Sequence, residues 1–192
     1  MTRFVLASAS PRRRELLRDA GYDFSVVPST ADETLPENCP AADAVRLLAE
    51  RKAQSVLLQV PGSVVLGCDT VVAVGHAILG KPRTEEEAAA MLRALSGKVH
   101  TVFSGVCVTD GTKTETFVSA TDVVFAALSE ATIASYVATG EPMDKAGAYG
   151  IQGRGSVLVE RINGDYFTVV GLPLQKAART LATFGVYGTV KF

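Results

Sequence analysis

The chain has 192 residues, enough for one large domain or one domain in two lobes, either with a full core, and its net charge of −1 gives no field for nucleic acid or an anionic membrane. Three scattered cysteines, Cys39, Cys68 and Cys107, and two histidines without finger spacing, His76 and His100, exclude a disulfide framework and a structural zinc site. No apolar run reaches the roughly 18–20 residues of a membrane span, and Phe4–Ala7 is too short for a signal-peptide core, so the expectation is a soluble cytoplasmic protein.

Phe4–Ala7 reads as a short buried strand that runs into Ser8-Ala9-Ser10-Pro11 and a helix to about Ala20, stopped by Gly21. Ser10 is a natural N-cap and Pro11 suits the first helical position. Leu16, Leu17 and Ala20 form the inward stripe. Arg13 falls on it, Arg12 lies at its edge and Arg14 points away. Serines and arginines at a helix N-terminus make a ready anion site; the alternative is a solvated basic first turn, which the helix dipole disfavours.

Phe24–Pro28 is predicted as a second strand, followed by a polar loop in which Asp32 and Glu33 are candidate metal ligands or capping carboxylates. Pro40 to about Val60 is predicted as a long helix with Val45, Leu48, Ala49, Ala53 and Val56 facing the core. Lys52 lies near the middle of that apolar face, where lysine either snorkels outward or meets an anionic ligand.

The next strand, Val64–Val74, is apolar and β-branched except for Asp69. Burying a carboxylate there is costly unless something pairs with it, which points to a site lip beside a metal or a polarised water; a strand-end cap or a backbone hydrogen bond is the plainer reading. Gly75–Gly80 makes a return, and Lys81 follows in a Gly-Lys-Pro bend within reach of a phosphate, although the segment is too short for a Walker loop. Thr84 caps a helix over Glu85–Leu95, ended by Ser96-Gly97.

Lys98–Thr109 and Thr114–Leu128 form a long hairpin around Asp110-Gly111. Ser129 caps a short helix to about Thr139, and a glycine-rich segment, residues 140–155, then implies backbone approaching something closely. Val157–Ile162 and Tyr166–Val170 are predicted as closing strands, and Leu172–Phe184 as a final amphipathic helix. The alternation argues a mixed α/β domain.

Taken together the motifs LASASPRRRELL (Leu6–Leu17), GCDTVV (Gly67–Val72), ILGKP (Ile78–Pro82), MLRALSGKVHTVFSGV (Met91–Val106), GEPMDKAGAYGIQG (Gly140–Gly153) and GDYFTVVGLPL (Gly164–Leu174) resemble the Maf family. The resemblance covers roughly residues 4–185 and leaves Tyr187–Phe192 as a tail of a single domain spanning 1–192. It implies an α/β fold of the inosine-triphosphatase-like (Maf/Ham1) type: a mixed twisted sheet with a long antiparallel hairpin, flanking helices, and two lobes around a cleft. It also implies hydrolysis of nucleoside triphosphates to the monophosphate and pyrophosphate with a divalent metal, Mg or Mn.

On the family pattern Asp69 matches the proton acceptor, while Arg12, Thr70 and Gln152 match positions tied to base specificity. Glu33, Lys52 and Lys81 match the polar set around phosphates and metal, with Glu33 and Asp69 as the metal-side carboxylates. The DKAGAYGIQG form is similar to the branch acting on dTTP and UTP, with the 7-methyl-GTP branch as the alternative specificity. Phe167-Thr168 departs from the aromatic-Asn pair found in many members.

The chemistry is consistent with attack of water on the α-phosphorus, which needs a base, a metal on the phosphate oxygens and cations along the leaving pyrophosphate. Asp69 is either the base or a metal ligand. Arg12, Arg13, Lys52 and Lys81 can hold the triphosphate, the Ser8–Ser10 backbone adds N–H donors, and the Gln152 amide matches N3–H and a carbonyl of uracil or thymine. The competing reading is a non-catalytic nucleotide-binding regulator of septum formation. A nucleotidyl transferase or GTP-type switch is weaker. The expected partners are the nucleotide alone, without nucleic acid or membrane, and a homodimer is left open.

Overall fold

The structure, a computed structural model, describes residues 3–75 and 77–192; His76 lies outside the described residues. The elements alternate as the sequence pattern requires. In chain order they are β1 (Phe4–Ala7), α1 (Pro11–Asp19), β2 (Ser25–Val26), α2 (Ala41–Leu57), β3 (Val64–Val74), β4 (Ala77–Leu79), α3 (Glu85–Leu95), β5 (Val99–Thr109) and β6 (Thr114–Phe125). They continue with α4 (Glu130–Val137), three short 3-10 turns between Glu141 and Leu158, β7 (Val159–Asn163), α5 (Tyr166–Val170) and α6 (Leu174–Thr183).

The strands form a seven-stranded sheet in the order β2-β1-β3-β5-β6-β7, with β4 paired to β3. β1 runs parallel to β2 and β3, whereas β4 on β3 and β7 on β6 are antiparallel. This is the mixed α/β architecture expected from the alternation. The chain divides into two compact units: one takes in residues up to Asp69 with Ser104–Ser119 and Gly171–Phe192, the other Thr70–Phe103 and Ala120–Val170.

In the first unit α2 lays Ala49, Ala53 and Val56 against Val5, Ala7, Val65 and Cys107. The helix comes down directly onto the sheet because two strand positions lack a side chain. A Cβ on Gly67 would collide with the Ala49 carbonyl oxygen, and one on Gly105 with that of Val45. Such close approach is what glycine in a strand permits. The last residues are held as well, since the Thr189 N–H donates to the Ala20 carbonyl at 3.1 Å.

In the second unit α3, capped by Thr84 through the Glu87 N–H at 3.2 Å, buries Ala88, Leu92 and Leu95. Below it three rings pack edge to face: His100 with Phe125 at 5.0 Å, His100 with Tyr149 at 5.3 Å and Phe125 with Tyr149 at 4.6 Å. His100 is 2% exposed, its Nε2 pairs with the Tyr149 hydroxyl at 2.8 Å, and its Nδ1 is buried without a partner among the described residues. Burial pushes the His100 pKa down to about 4, against the opposing pull of Asp122.

That burial has a consequence for acid stability. Between pH about 6.5 and about 4 the unfolded chain protonates this imidazole while the folded one does not. Folding stability therefore falls as pH drops through that window, by about 3 kcal/mol at its foot, and is insensitive to this group above it. Urea midpoints taken at pH 7.5 and 5 will show the loss, and His100→Gln will remove most of it; an equal loss in the variant would acquit His100.

One segment departs from its pattern. Tyr166–Val170, β-branched and aromatic, is helix and not strand. Asp165 is the reason: its carboxylate accepts from the N–H groups of Phe167 at 3.3 Å and Thr168 at 2.8 Å and from the Thr168 hydroxyl at 2.7 Å. Side-chain capping of the first turn outweighs the modest strand preference of the residues that follow. The second strand is also shorter than Phe24–Pro28, at two residues.

Candidate functional site

Asp69 lies within β3, 9% exposed, and Lys52 projects from the apolar face of α2 with its side chain 13% exposed. The Lys52 ammonium donates to Asp69 Oδ1 at 2.6 Å and pairs with Glu33 Oε1 at 2.8 Å. One cation thus binds two carboxylates from separate segments. Burial works against the charge on Lys52, but the Asp69 carboxylate and then Glu33 outweigh it and hold the lysine pKa above its usual value. The ammonium in turn offsets the cost of holding the Asp69 charge away from water.

Glu33 is largely exposed, yet the loop that carries it is clamped. Arg51, beside Lys52 on α2, donates through Nη1 to the main-chain carbonyls of Asp32 at 3.1 Å and Thr34 at 2.6 Å, on either side of Glu33. Asp32 takes the capping role, its Oδ1 accepting from the Thr34 N–H at 2.9 Å and hydroxyl at 2.7 Å. Those bonds hold its carboxyl below the usual range. Sequence reasoning could not divide the two acidic neighbours, and it marks Arg51 only as half of a basic pair with Lys52, not as the clamp on this loop. Its one signal was adjacency to an inward-facing lysine.

A second group forms where β1 enters α1. Ser10 caps the helix, accepting from the Arg13 N–H at 3.5 Å. Ser8 is buried, and its hydroxyl oxygen accepts from the Ser10 N–H at 3.2 Å and from Arg13 Nη1 at 3.1 Å. Arg13 Nε donates to the Gly171 carbonyl at 2.8 Å, so the inward stripe of α1 does include this arginine. Burial pushes the Cys68 thiol pKa up, and its Sγ donates to the same carbonyl at 3.2 Å. Arg12, in the first turn, is half-buried.

The remaining predicted residues belong to the other unit. Thr70 follows Asp69 and is half-buried; Lys81 and Gln152 are exposed. The Gly80 carbonyl, just before Lys81, accepts from the Gly147 N–H at 3.0 Å, which ties the Gly-Lys-Pro bend to the glycine-rich segment. The structure therefore joins Asp69, Lys52 and Glu33 in one ion-pair cluster and Ser8 with Arg13 in one hydrogen-bonded group.

For a cation, no three His, Cys, Asp or Glu side chains converge among the described residues. The available donor set is Asp69 and Glu33, already facing a common positive point. Two carboxylates are too few for an all-protein cage but fit a hard divalent ion that completes its shell with substrate phosphates and water. No helix among the described residues is long and apolar enough to cross a membrane, and all three cysteines are free thiols.

Comparison with known proteins places this geometry in context. Residues 3–184 match the family model described as Maf-like protein. A protein of Geobacillus sp. strain WCH70 named dTTP/UTP pyrophosphatase is 52% identical over 185 residues, covering 96% of this chain and all of that one. A Bacillus pumilus protein of the same name is 48% identical over 186 residues, 97% of this chain and 98% of its own length. Among solved structures the Staphylococcus aureus Ham1 protein aligns over 82% of this chain and 80% of its own, with a TM-score of 0.50 at 13% identity, a likeness of fold.

Proposed function

The chain belongs to the family of Maf-like proteins, and from that premise we propose that it is a nucleoside triphosphate pyrophosphatase acting on dTTP and UTP, as its relatives are named. The observation that carries the reading is the Asp69 carboxylate held on the Lys52 ammonium at 2.6 Å inside a largely apolar strand. A binding protein needs cations for a triphosphate; it has no use for a buried acid facing them.

The reaction adds water across one anhydride. A water oxygen bonds to the α-phosphorus, the bond from that phosphorus to the bridging oxygen of the leaving group breaks, and Asp69 accepts the water proton as general base. Lys52 keeps Asp69 oriented. With Arg12 and Arg13, and the N–H groups of Ser8–Ser10, in the same unit, it balances the charge that moves onto the departing pyrophosphate; Lys81 is a phosphate-binding lysine of the other unit. Arg13, already bonded to Ser8 and to the Gly171 carbonyl, also fixes the loop that presents those donors. In the alternative role, as a metal ligand in place of the base, Asp69 with Glu33 would hold a Mg or Mn ion, which neutralises phosphate oxygens when bound. We place the reaction in the cytoplasm.

Gln152, with Thr70 of the same unit, reads the base. Its amide offers a donor to the 4-carbonyl and an acceptor to N3–H of uracil or thymine. Gln152→Glu removes the donor and sets a carboxylate against the carbonyl, so kcat/KM for UTP falls by about tenfold or more relative to a purine nucleotide. Unchanged discrimination would remove Gln152 from base reading. The direct test of the activity is pyrophosphate release from a panel of nucleoside triphosphates with magnesium or manganese. UTP and dTTP should lead the panel. Turnover led by 7-methyl-GTP would move the chain to a different specificity.

A further inference from the structure

The glycine-rich segment that carries Gln152 is organised by an acidic residue that the proposed chemistry does not use. Glu141 is half-buried, and its carboxylate accepts three hydrogen bonds. Oε1 accepts from the Tyr136 hydroxyl at 3.0 Å and the Gly155 N–H at 2.9 Å; Oε2 accepts from the Arg154 N–H at 2.9 Å. The Tyr136 hydroxyl oxygen accepts in turn from the Gly150 N–H at 3.2 Å. The main chain is therefore gripped on both sides of Gln152, at Gly150 before it and at Arg154 and Gly155 after it.

The glycines are shaped to this carboxylate. Gly153 has φ +69°, and a Cβ there would stand 2.9 Å from Glu141 Oε2. A Cβ on Gly155 would collide with the Gly150 carbonyl oxygen and the Tyr136 hydroxyl. The other end of Glu141 is held by the Lys145 ammonium, which donates to the Glu141 carbonyl at 2.6 Å and to Asp144 Oδ1 at 2.6 Å. Burial raises the Glu141 pKa, but the N–H groups of Arg154 and Gly155, with the Tyr136 hydroxyl and the Lys145 charge, together outweigh it, and the carboxyl lies below its usual range. Only a carboxylate offers acceptors on both oxygens. A glutamine at this position would turn an NH2 toward one of the backbone N–H groups.

We infer that Glu141 is the positioning residue for base discrimination: it fixes the backbone from which the Gln152 amide is presented. This rests on the reading above in which Gln152 meets the base. An acid that merely stabilised the unit would, when removed, lower the active fraction for every nucleotide alike. An acid that positions Gln152 changes the ratio between nucleotides.

UTP and CTP make the comparison, because cytosine replaces the 4-carbonyl by an amino group and lacks the N3–H. The ratio of their kcat/KM values, and the ratio of Kd values for their α,β-methylene analogues by calorimetry, are measured for the wild type, Glu141→Gln and Glu141→Ala. The wild type prefers uracil. Glu141→Ala shrinks both ratios by about tenfold, and Glu141→Gln by less, with KM for UTP moving more than kcat.

Wild-type ratios in folded variants, equal losses on both nucleotides, or a wild type without preference each overturn the inference. If Glu141→Ala does not fold, Tyr136→Phe, which cuts one hydrogen bond to Glu141 and the grip on Gly150, should shrink the same ratios about threefold; no change overturns it. A wild type that binds the uracil analogue preferentially but releases no pyrophosphate from UTP would refute the enzyme reading and leave the calorimetric test of Glu141 standing.

Discussion

Asp69→Asn lowers kcat/KM for UTP by about a thousandfold, the scale of a lost general base. The asparagine keeps the shape of the side chain and an oxygen for the Lys52 ammonium, so the nucleotide still binds and the loss falls on kcat. Stability drops by only about 1–2 kcal/mol, because Lys52 retains Glu33 at 2.8 Å. Steady-state pyrophosphate release, nucleotide calorimetry and a urea melt separate these effects. Comparable turnover in variant and wild type would remove Asp69 from the mechanism. A kcat loss matched by lost binding would make it a ligand-holding group and not the base.

Lys52→Met is predicted to be the most damaging single change outside Asp69. The methionine fills the same space along α2 but leaves two carboxylates facing each other without their common cation. Breaking a mostly buried pair costs about 3–5 kcal/mol, and the exposure of Glu33, whose side chain is 64% open to solvent, puts this one near the lower figure. Activity falls about a hundredfold through lost stabilisation of the phosphates.

The same substitution tests whether those carboxylates also hold a divalent ion. With the ammonium gone, Asp69 and Glu33 are open to a divalent ion even without nucleotide. Manganese should then raise the melting temperature of Lys52→Met more than that of the wild type. Equal shifts in both proteins would mean that the two carboxylates do not hold the ion together.

Much of the architecture was legible because local signals agreed. β3 has the limits that its β-branched run predicted, and α1, α3 and α4 start after the caps read from Ser10, Thr84 and Ser129. Tyr166–Val170 was misread because strand propensity was weighed without the capping side chain of Asp165, a three-hydrogen-bond effect that a residue scale does not contain. The ion-pair cluster at Asp69 was legible only through anomalies: a carboxylate in an apolar strand and a lysine on an apolar helix face. The partnership of Lys52 and Asp69 spans seventeen residues and depends on how closely α2 lies on β3, which Gly67 hints at and only the packed structure displays. The roles of Arg51 and Glu141 were invisible for a further reason. Both act on main-chain groups, and the identity of a backbone partner leaves no trace in side-chain pattern.

The account turns on water attacking the α-phosphorus under Asp69. Hydrolysis of UTP in water enriched in oxygen-18, with magnesium present and products resolved by mass spectrometry, tests it in one measurement. The prediction is equimolar UMP and pyrophosphate, with the heavy oxygen in the UMP and none above background in the pyrophosphate. Label in the pyrophosphate, release of UDP with phosphate, or bound UTP recovered intact would contradict it.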